Sequence, residues 1–224
     1  MALLLSIETS TQVCSAALHE QGELVISRET HTPQETASQL VPMIDSLFAE
    51  SGISKNHLAA VAVSGGPGSY TGLRIGAATA KGICYSLDIP LVAIDSLHVL
   101  ASSAEPAIEK GLICPMIDAR RMEVYTCLLR PTGEVVEPTR PLVVDESSFA
   151  TFLPEHTITF LGDGAEKCME VIRHANARFL PGQVPRAAAM GKLAFRNFES
   201  GMFEDVRLFE PAYLKEFVAK TKKA

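Results

Sequence analysis

Residues 64–82 read SGGPGSYTGLRIGAATAKG, with six glycines, one proline and almost no bulk. They separate two apolar runs, LAAVAV at 58–63 and IPLVAID at 89–95. Each run suits a short buried strand, and Tyr70–Leu87 between them reads as a helix. Strand, glycine turn, helix and strand in succession make the unit of an α/β fold. Gly72, Gly76 and Ala80 fall four apart and Cys84 continues the series, so one side of the helix is a smooth ridge. An interior glycine costs a helix roughly 1 kcal/mol relative to alanine. Two in one helix call for close approach of another backbone, from the lobe's own sheet or from a partner subunit.

Upstream, LLLSIET opens a first strand, and VCSAALHEQGELVISRET folds back on it as two more around the turn Gln21-Gly22. Between Glu35 and Glu50, Leu40, Ile44, Leu47 and Phe48 recur at helical spacing, with Pro42 inside the pattern. Ser96 is placed to cap a helix reaching Ala104. After a linker near 105–111 the order begins again. LICPMIDA, MEVYTCLLR and EVVEPTRPLVV read as strands, DESSFATFL as a helix capped by Asp145, and TITFLGDGA as a strand feeding a glycine turn. Helices are expected at 165–175 and 187–201. The halves share element order rather than sequence. Two such halves side by side place any ligand in the cleft between them.

The 224 residues are 47% hydrophobic and 21% charged, as in an ordinary globular chain. No apolar run reaches the roughly 20 residues of a membrane span. The start, MALLLSIETSTQ, lacks the basic segment of a signal peptide and reads as a buried strand. Formal net charge is −6, and the basic residues cluster only in the tail KTKKA, which argues against autonomous nucleic-acid binding. Cys14, Cys84, Cys114, Cys127 and Cys168 form no CxxC pair, and reduced thiols in a cytoplasmic protein are the simple expectation.

Several chemistries can be weighed. A glycine turn before a helix N-terminus is a cradle for phosphate, although no GxxxxGK[ST] occurs. Gly66, Gly68 and Gly72, with Asp95 ending the next strand, imitate a dinucleotide fingerprint and hence a hydride-transfer enzyme. Pro67 stiffens that turn, and a hairpin precedes it where the fingerprint normally opens the domain. Ser64 and Ser69 flank the turn as candidate nucleophiles, with no histidine near in sequence. The six histidines make no HxxxH, HExxH or HxH, and His98 stands alone on its helix. Glu8, Asp95, Asp118 and Asp163 end strands or turns, where acids could hold Mg²⁺ on a nucleotide.

SIETST, SGGPGSYTGLRIGAATAKG, IPLVAIDSL, IDARRMEVY, GDGA and EPAYLKE come in an order that resembles the bacterial TsaB family, also called YeaZ. The resemblance spans nearly the whole chain. It implies two lobes of the actin-like ATPase (ASKHA, RNase H-like) type, each a mixed sheet with flanking helices and once classed as glycoprotease-like. The expected division is 1–104 and 105–224, with the last segment from about 206 returning to the first lobe. The family serves the machinery that makes threonylcarbamoyladenosine on tRNA. Its implied role is a non-catalytic, cytoplasmic subunit that pairs with the catalytic paralogue TsaD, is joined by the ATPase TsaE, and forms homodimers when alone. It would touch tRNA only through the complex and need no cofactor itself, with ATP or ADP and Mg²⁺ acting at the level of the complex. The paralogue's metal-binding His-x-x-x-His falls here on Ser96 and Leu100.

The resemblance places the partner surface on two helices: Leu40, Met43 and Leu47 on the first, and Thr71, Gly72, Arg74, Ile75, Gly76, Ala78, Thr79, Ala80 and Gly82 on the second. A histidine that often precedes the first helix in the family is absent, Thr36-Ala37 standing there. A vestigial nucleotide site would use Glu8, Gly65, Gly66, Gly68, Asp118, Gly162, Asp163 and Gly164. The alternative is an independent nucleotide-dependent enzyme, either an actin-like ATPase or a dinucleotide oxidoreductase.

Overall fold

A computed structural model describes residues 2–32, 36–104 and 108–214. Glu35, the linker residues 105–107 and the basic tail lie outside them. The first sheet has the order β3-β2-β1-β4-β5. It is built from β1 (Leu3–Glu8), β2 (Cys14–Glu20), β3 (Glu23–Thr30), β4 (Leu58–Gly66) and β5 (Leu91–Asp95). The meander β1–β3 is antiparallel, whereas β4 runs parallel to both β1 and β5. The second sheet repeats this plan in β6 (Leu112–Asp118), β7 (Glu123–Leu129), β8 (Val135–Val143), β9 (Ile158–Leu161) and β10 (Ala177–Leu180), in the order β10-β9-β6-β7-β8. Again three antiparallel strands are followed by two parallel ones.

Strand alternation sorts the first core into two layers. Leu3, Leu5, Ile7, Cys14, Ala16 and Leu18 face α1 (Thr36–Ser51) and α2 (Tyr70–Leu87). Leu4, Ala17, Ala60, Ala62 and Val92 face the other way, toward α3 (Ser96–Ser103) and α4 (Gly191–Glu199). Helix α3 is shared between the lobes. Its Leu97, Leu100 and Ala101, with Ala104 just past its end, pack with Ile113, Ile117, Cys127, Leu129 and Leu161 of the second sheet. Asp95 caps α3 by accepting from the Leu97 N–H at 2.7 Å, and its other oxygen accepts from Thr139 Oγ1 on β8 at 2.7 Å. The cap is thus Asp95 rather than Ser96, and it ties the lobes together.

Besides this cap, the structure departs from the sequence reading in three larger segments. Residues 145–155 form successive hydrogen-bonded turns instead of a helix. Phe149 takes a left-handed backbone, φ 66°, and its ring sits 5.2 Å from that of Phe160 in the second core. Residues 165–175 likewise hold only a short 3-10 turn at Glu166–Cys168, and the next segment is the strand β10. Third, the chain rejoins the first lobe well ahead of residue 206. Ala187 donates its N–H to Ser15 Oγ at 2.9 Å, and Ala187, Met190 and Ala194 join the first lobe's core. The reason lies in buried polar groups of β1 and β2, which need backbone partners. His19 Nε2 donates to the Ala188 carbonyl at 3.1 Å, and His19 Nδ1 accepts from Ser6 Oγ at 3.1 Å.

The glycine ridge of α2 turns inward. A Cβ on Gly72 would overlap the carbonyl oxygen of Thr9, and one on Gly76 would overlap Thr9 Oγ1. Gly82, one face away, has open space around it. Gly72→Ala is therefore expected to destabilise the protein by about 1–3 kcal/mol through forced backbone displacement. Gly82→Ala should stabilise it by up to about 1 kcal/mol through helix propensity. Urea midpoints of the two variants, shifted in opposite directions, check this.

Candidate functional site

Two concave surfaces stand out. The first is a cavity of about 610 Å³ where the lobes meet. Its walls include Ser10, Gly68, Tyr70, Asp118, Arg120 and Asp163. Of the residues expected in a nucleotide site, Gly68, Asp118 and Asp163 line this cavity, whereas Glu8, Gly65, Gly66, Gly162 and Gly164 do not. Glu8 is fully buried beside it, accepting from the Ser10 N–H at 2.6 Å and from Ser64 Oγ. Ser64 is thus a hydrogen-bond donor to Glu8, and Ser69 caps α2 by accepting from the Gly72 N–H at 3.2 Å. Gly65 accepts from the Ala212 N–H at 2.7 Å, so the glycine turn is covered by the C-terminal segment. Asp95 stays at the α3 cap, outside the cavity wall.

The acids at the cavity tip are already answered from within the chain. Asp118 pairs with Lys167, whose ammonium also donates to the Glu123 carbonyl at 2.7 Å. Asp163 accepts from the Asp118 N–H at 3.0 Å, and burial pushes its carboxyl above the usual range. Between β6 and β7, Arg120 and Arg121 take left-handed backbones with φ of 72° and 51°. This strained pair costs roughly 1–2 kcal/mol per residue and carries Arg120 to the cavity wall. Among the described residues, no three His, Cys, Asp or Glu side chains are grouped as a metal site requires. Ser96 and Leu100 are fully buried, Leu100 within the inter-lobe core.

The second surface is an apolar groove of about 410 Å³ between α1 and α2. Val41, Ile44 and Phe48 line it from α1, and Ala78, Gly82 and Ile83 from α2. The expected partner residues divide here. Leu40, Leu47, Gly72, Gly76 and Ala80 are buried in the lobe's own core and offer no surface, which corrects their assignment. Thr71, Arg74, Ala78 and Gly82 are exposed, and Met43, Ile75 and Thr79 are half-buried. The helical face was read one step too far round, because small residues mark close approach without saying from which side. Val41 and Ile83 were missed. Val41, at 52% exposure, breaks the apolar spacing of α1, and that misplaced valine was the available signal.

All five cysteines are buried and free. Burial raises all five thiols, those of Cys14 and Cys84 to about 11 and those of Cys114 and Cys127 further, which disfavours the thiolate a nucleophile needs. Among the described residues, no helix is long and apolar enough to cross a membrane.

Two lobes of one topology, three antiparallel strands and two parallel ones with a cleft between, define a duplicated two-lobed α/β protein. The family model described as TsaD, tRNA N6-adenosine threonylcarbamoyltransferase, matches residues 30–223. A Haemophilus influenzae protein named tRNA threonylcarbamoyladenosine biosynthesis protein TsaB is 38% identical over 126 residues, 54% of this chain. That match spans about half of the relative, 51% of its length. The Escherichia coli protein of the same name is 29% identical over 225 residues, 96% of each chain. A Pseudomonas aeruginosa crystal structure, described as similar to peptidase YeaZ, superposes with a TM-score of 0.83 at 26% identity, covering 96% of this chain and all of that one. The chain belongs to the TsaD family, and the relatives named above carry the TsaB or YeaZ name.

The buried Glu8 gives a test of the cleft's electrostatics. Burial, opposed by bonds from Ser10 and Ser64, raises its carboxyl above 4.5. The unfolded chain therefore ionises first as pH rises, and stability falls between the ordinary carboxylate value and the raised one. Glu8→Gln keeps an acceptor for Ser10 and removes the ionisation. It should gain stability over the unaltered protein on going from pH 4 to pH 7.5, measured by urea unfolding at both ends.

Proposed function

We propose that this chain serves tRNA threonylcarbamoyladenosine biosynthesis as a non-catalytic subunit that docks on a TsaD-type catalytic paralogue. The observation that carries this reading is the open apolar groove between α1 and α2, with the small exposed residues Ala78 and Gly82 in its α2 wall. Apolar grooves that admit a helix are a recurrent docking mode, and small residues on the rim let the incoming backbone come close. The buried Leu100, where the paralogue would carry a metal-binding histidine, supports a division of labour in which chemistry belongs to the partner. An independent nucleotide-dependent enzyme would have to use the inter-lobe cleft, where Lys167 already holds Asp118.

In this reading the complex works in the cytoplasm, a TsaE-type ATPase joins it, and ATP and Mg²⁺ act there rather than on this chain alone. With its charge of −6 the chain meets tRNA through its partners. Without the paralogue, the same groove pairs two copies of the chain.

Ala78→Tyr tests the reading. The side chain at 78 is exposed, so the lobe should keep its melting temperature while the groove is filled. Affinity for the TsaD paralogue, measured by calorimetry, should fall at least about tenfold, the range of interface hot spots. Reconstituted threonylcarbamoyl transfer to tRNA should fall with it. Unchanged affinity would refute the docking face, and turnover by the isolated chain would refute the non-catalytic role.

A further inference from the structure

The docking face carries a cation held ready. Helix α2 includes Arg74 and Lys81 and no acidic residue along its length. Lys81 is committed inward, donating to the carbonyls of Arg207 at 3.1 Å and Phe209 at 3.0 Å. Arg74 is exposed, and among the described residues it forms no ion pair, the Glu210 carboxylate attracting it only from beyond salt-bridge distance. Its guanidinium carbon lies 4.0 Å from the centre of the Tyr70 ring and 5.9 Å from that of Tyr213. The two rings stand 4.9 Å apart, and Arg74 Nε donates to the Tyr213 hydroxyl at 3.3 Å. The terminal nitrogens of the fork are left for another acceptor.

Tyr213 reaches Arg74 because the C-terminal segment is pinned at several points. Phe209 is buried in the first core, Lys81 binds the carbonyls around it, and Ala212 donates to Gly65. Stacking and the Nε bond restrict a side chain that would otherwise lose much rotamer freedom on binding. Ala78 of the groove follows one helical turn later on the same face. An exposed arginine, pre-ordered by two tyrosines at the end of an apolar groove, has the make-up of an interface anchor.

We infer that Arg74 is a preformed fork for a carboxylate of the protein that docks in the α1–α2 groove, and that Tyr213 is its positioning residue. The inference rests on the docking reading above. Charge complementarity selects the occupant. A second copy of this chain would bring an α2 with no acid, and an α1 whose Asp45 and Glu50 are already paired with Lys55 and Arg28. An RNA backbone needs several free cations, whereas among the described residues this face offers one beside an apolar groove. A different protein with an apolar helix and an acidic residue near its end satisfies both features.

The experiment is a calorimetric titration of the full chain with the TsaD paralogue at low and high salt, with thermal unfolding of each variant as control. Arg74→Ala should weaken binding about 10–100-fold and flatten its salt dependence. Arg74→Lys keeps the charge but loses the fork, so it should retain the salt dependence while binding several-fold more weakly. Tyr213→Phe keeps the ring and loses the acceptor, and should also bind several-fold more weakly with an unchanged melting temperature. Unaltered affinity and salt dependence in Arg74→Ala would overturn this inference alone. So would normal binding to the paralogue with reduced retention of tRNA by the complex, or an effect confined to self-association. Failure of the unaltered chain to bind would instead remove the docking reading, and this inference with it.

Discussion

The contact on which the first lobe depends is the seating of α2 on Thr9. Gly72 meets the Thr9 carbonyl and Gly76 meets its side chain, so the helix lies against the end of the first strand with no side chain of its own between. Backbone groups so placed cannot swing aside as a leucine can, and the interface has one geometry. That geometry fixes the glycine turn before α2 and the groove beside it. Leu73, Ala77, Ala80 and Cys84 complete the buried side of the helix. The thinness of α2 thus serves the lobe's own sheet, and whatever binds from outside meets the opposite face.

A second constraint follows from α3. In a lobed enzyme, closure of the cleft commonly assembles the site, and closure needs a joint that moves. Here the joint is an apolar core. Leu97, Leu100 and Ala101 pack on the second sheet while Val99 packs on the first. Asp95, which the fingerprint reading would give to a ribose, uses one oxygen for the α3 cap and the other for Thr139 across the lobes. Lys167 likewise satisfies Asp118 from inside the chain. Of these groups that could have answered a ligand, Asp95 instead joins the lobes and Asp118 is held within the second lobe.

Much of this was legible in the sequence, and the failures share a cause. The first lobe's strands and helices follow periodicity and turn chemistry, as at Gln21-Gly22, where the hairpin turns. Repetition of element order was enough to expect the second sheet. Residues 145–155 failed because burying Phe149 against Phe160 outweighed helical spacing. The strand β10 failed because ARFL is short and pairs only with β9, a partner that spacing cannot reveal. The early return at Arg186 had a signal that was not read. Ser6, Ser15 and His19 are polar residues in strands otherwise apolar, and such residues when buried imply a backbone that comes to meet them. In the candidate site, residue type identified the right helices, but the ridge of small residues could not say which side was inward.

That ambiguity separates stability from recognition. On α2 the inward residues recur at 72, 73, 76, 77, 80 and 84, and the exposed ones include 71, 74, 78 and 82. Substitutions on the first set act through overlap with Thr9 or loss of core packing, and they change folding. Substitution at exposed Ala78 leaves the core alone and acts on association, whereas Arg74 also holds Tyr70 and Tyr213 in the free chain and Gly82 also carries a helix-propensity cost. One helix therefore carries two sets of constraints on opposite faces. Gly76 and Gly82 are the same residue type, yet adding a methyl group collides with Thr9 at the first and meets open space at the second. The chemistry of a glycine in this fold is set by the face it occupies.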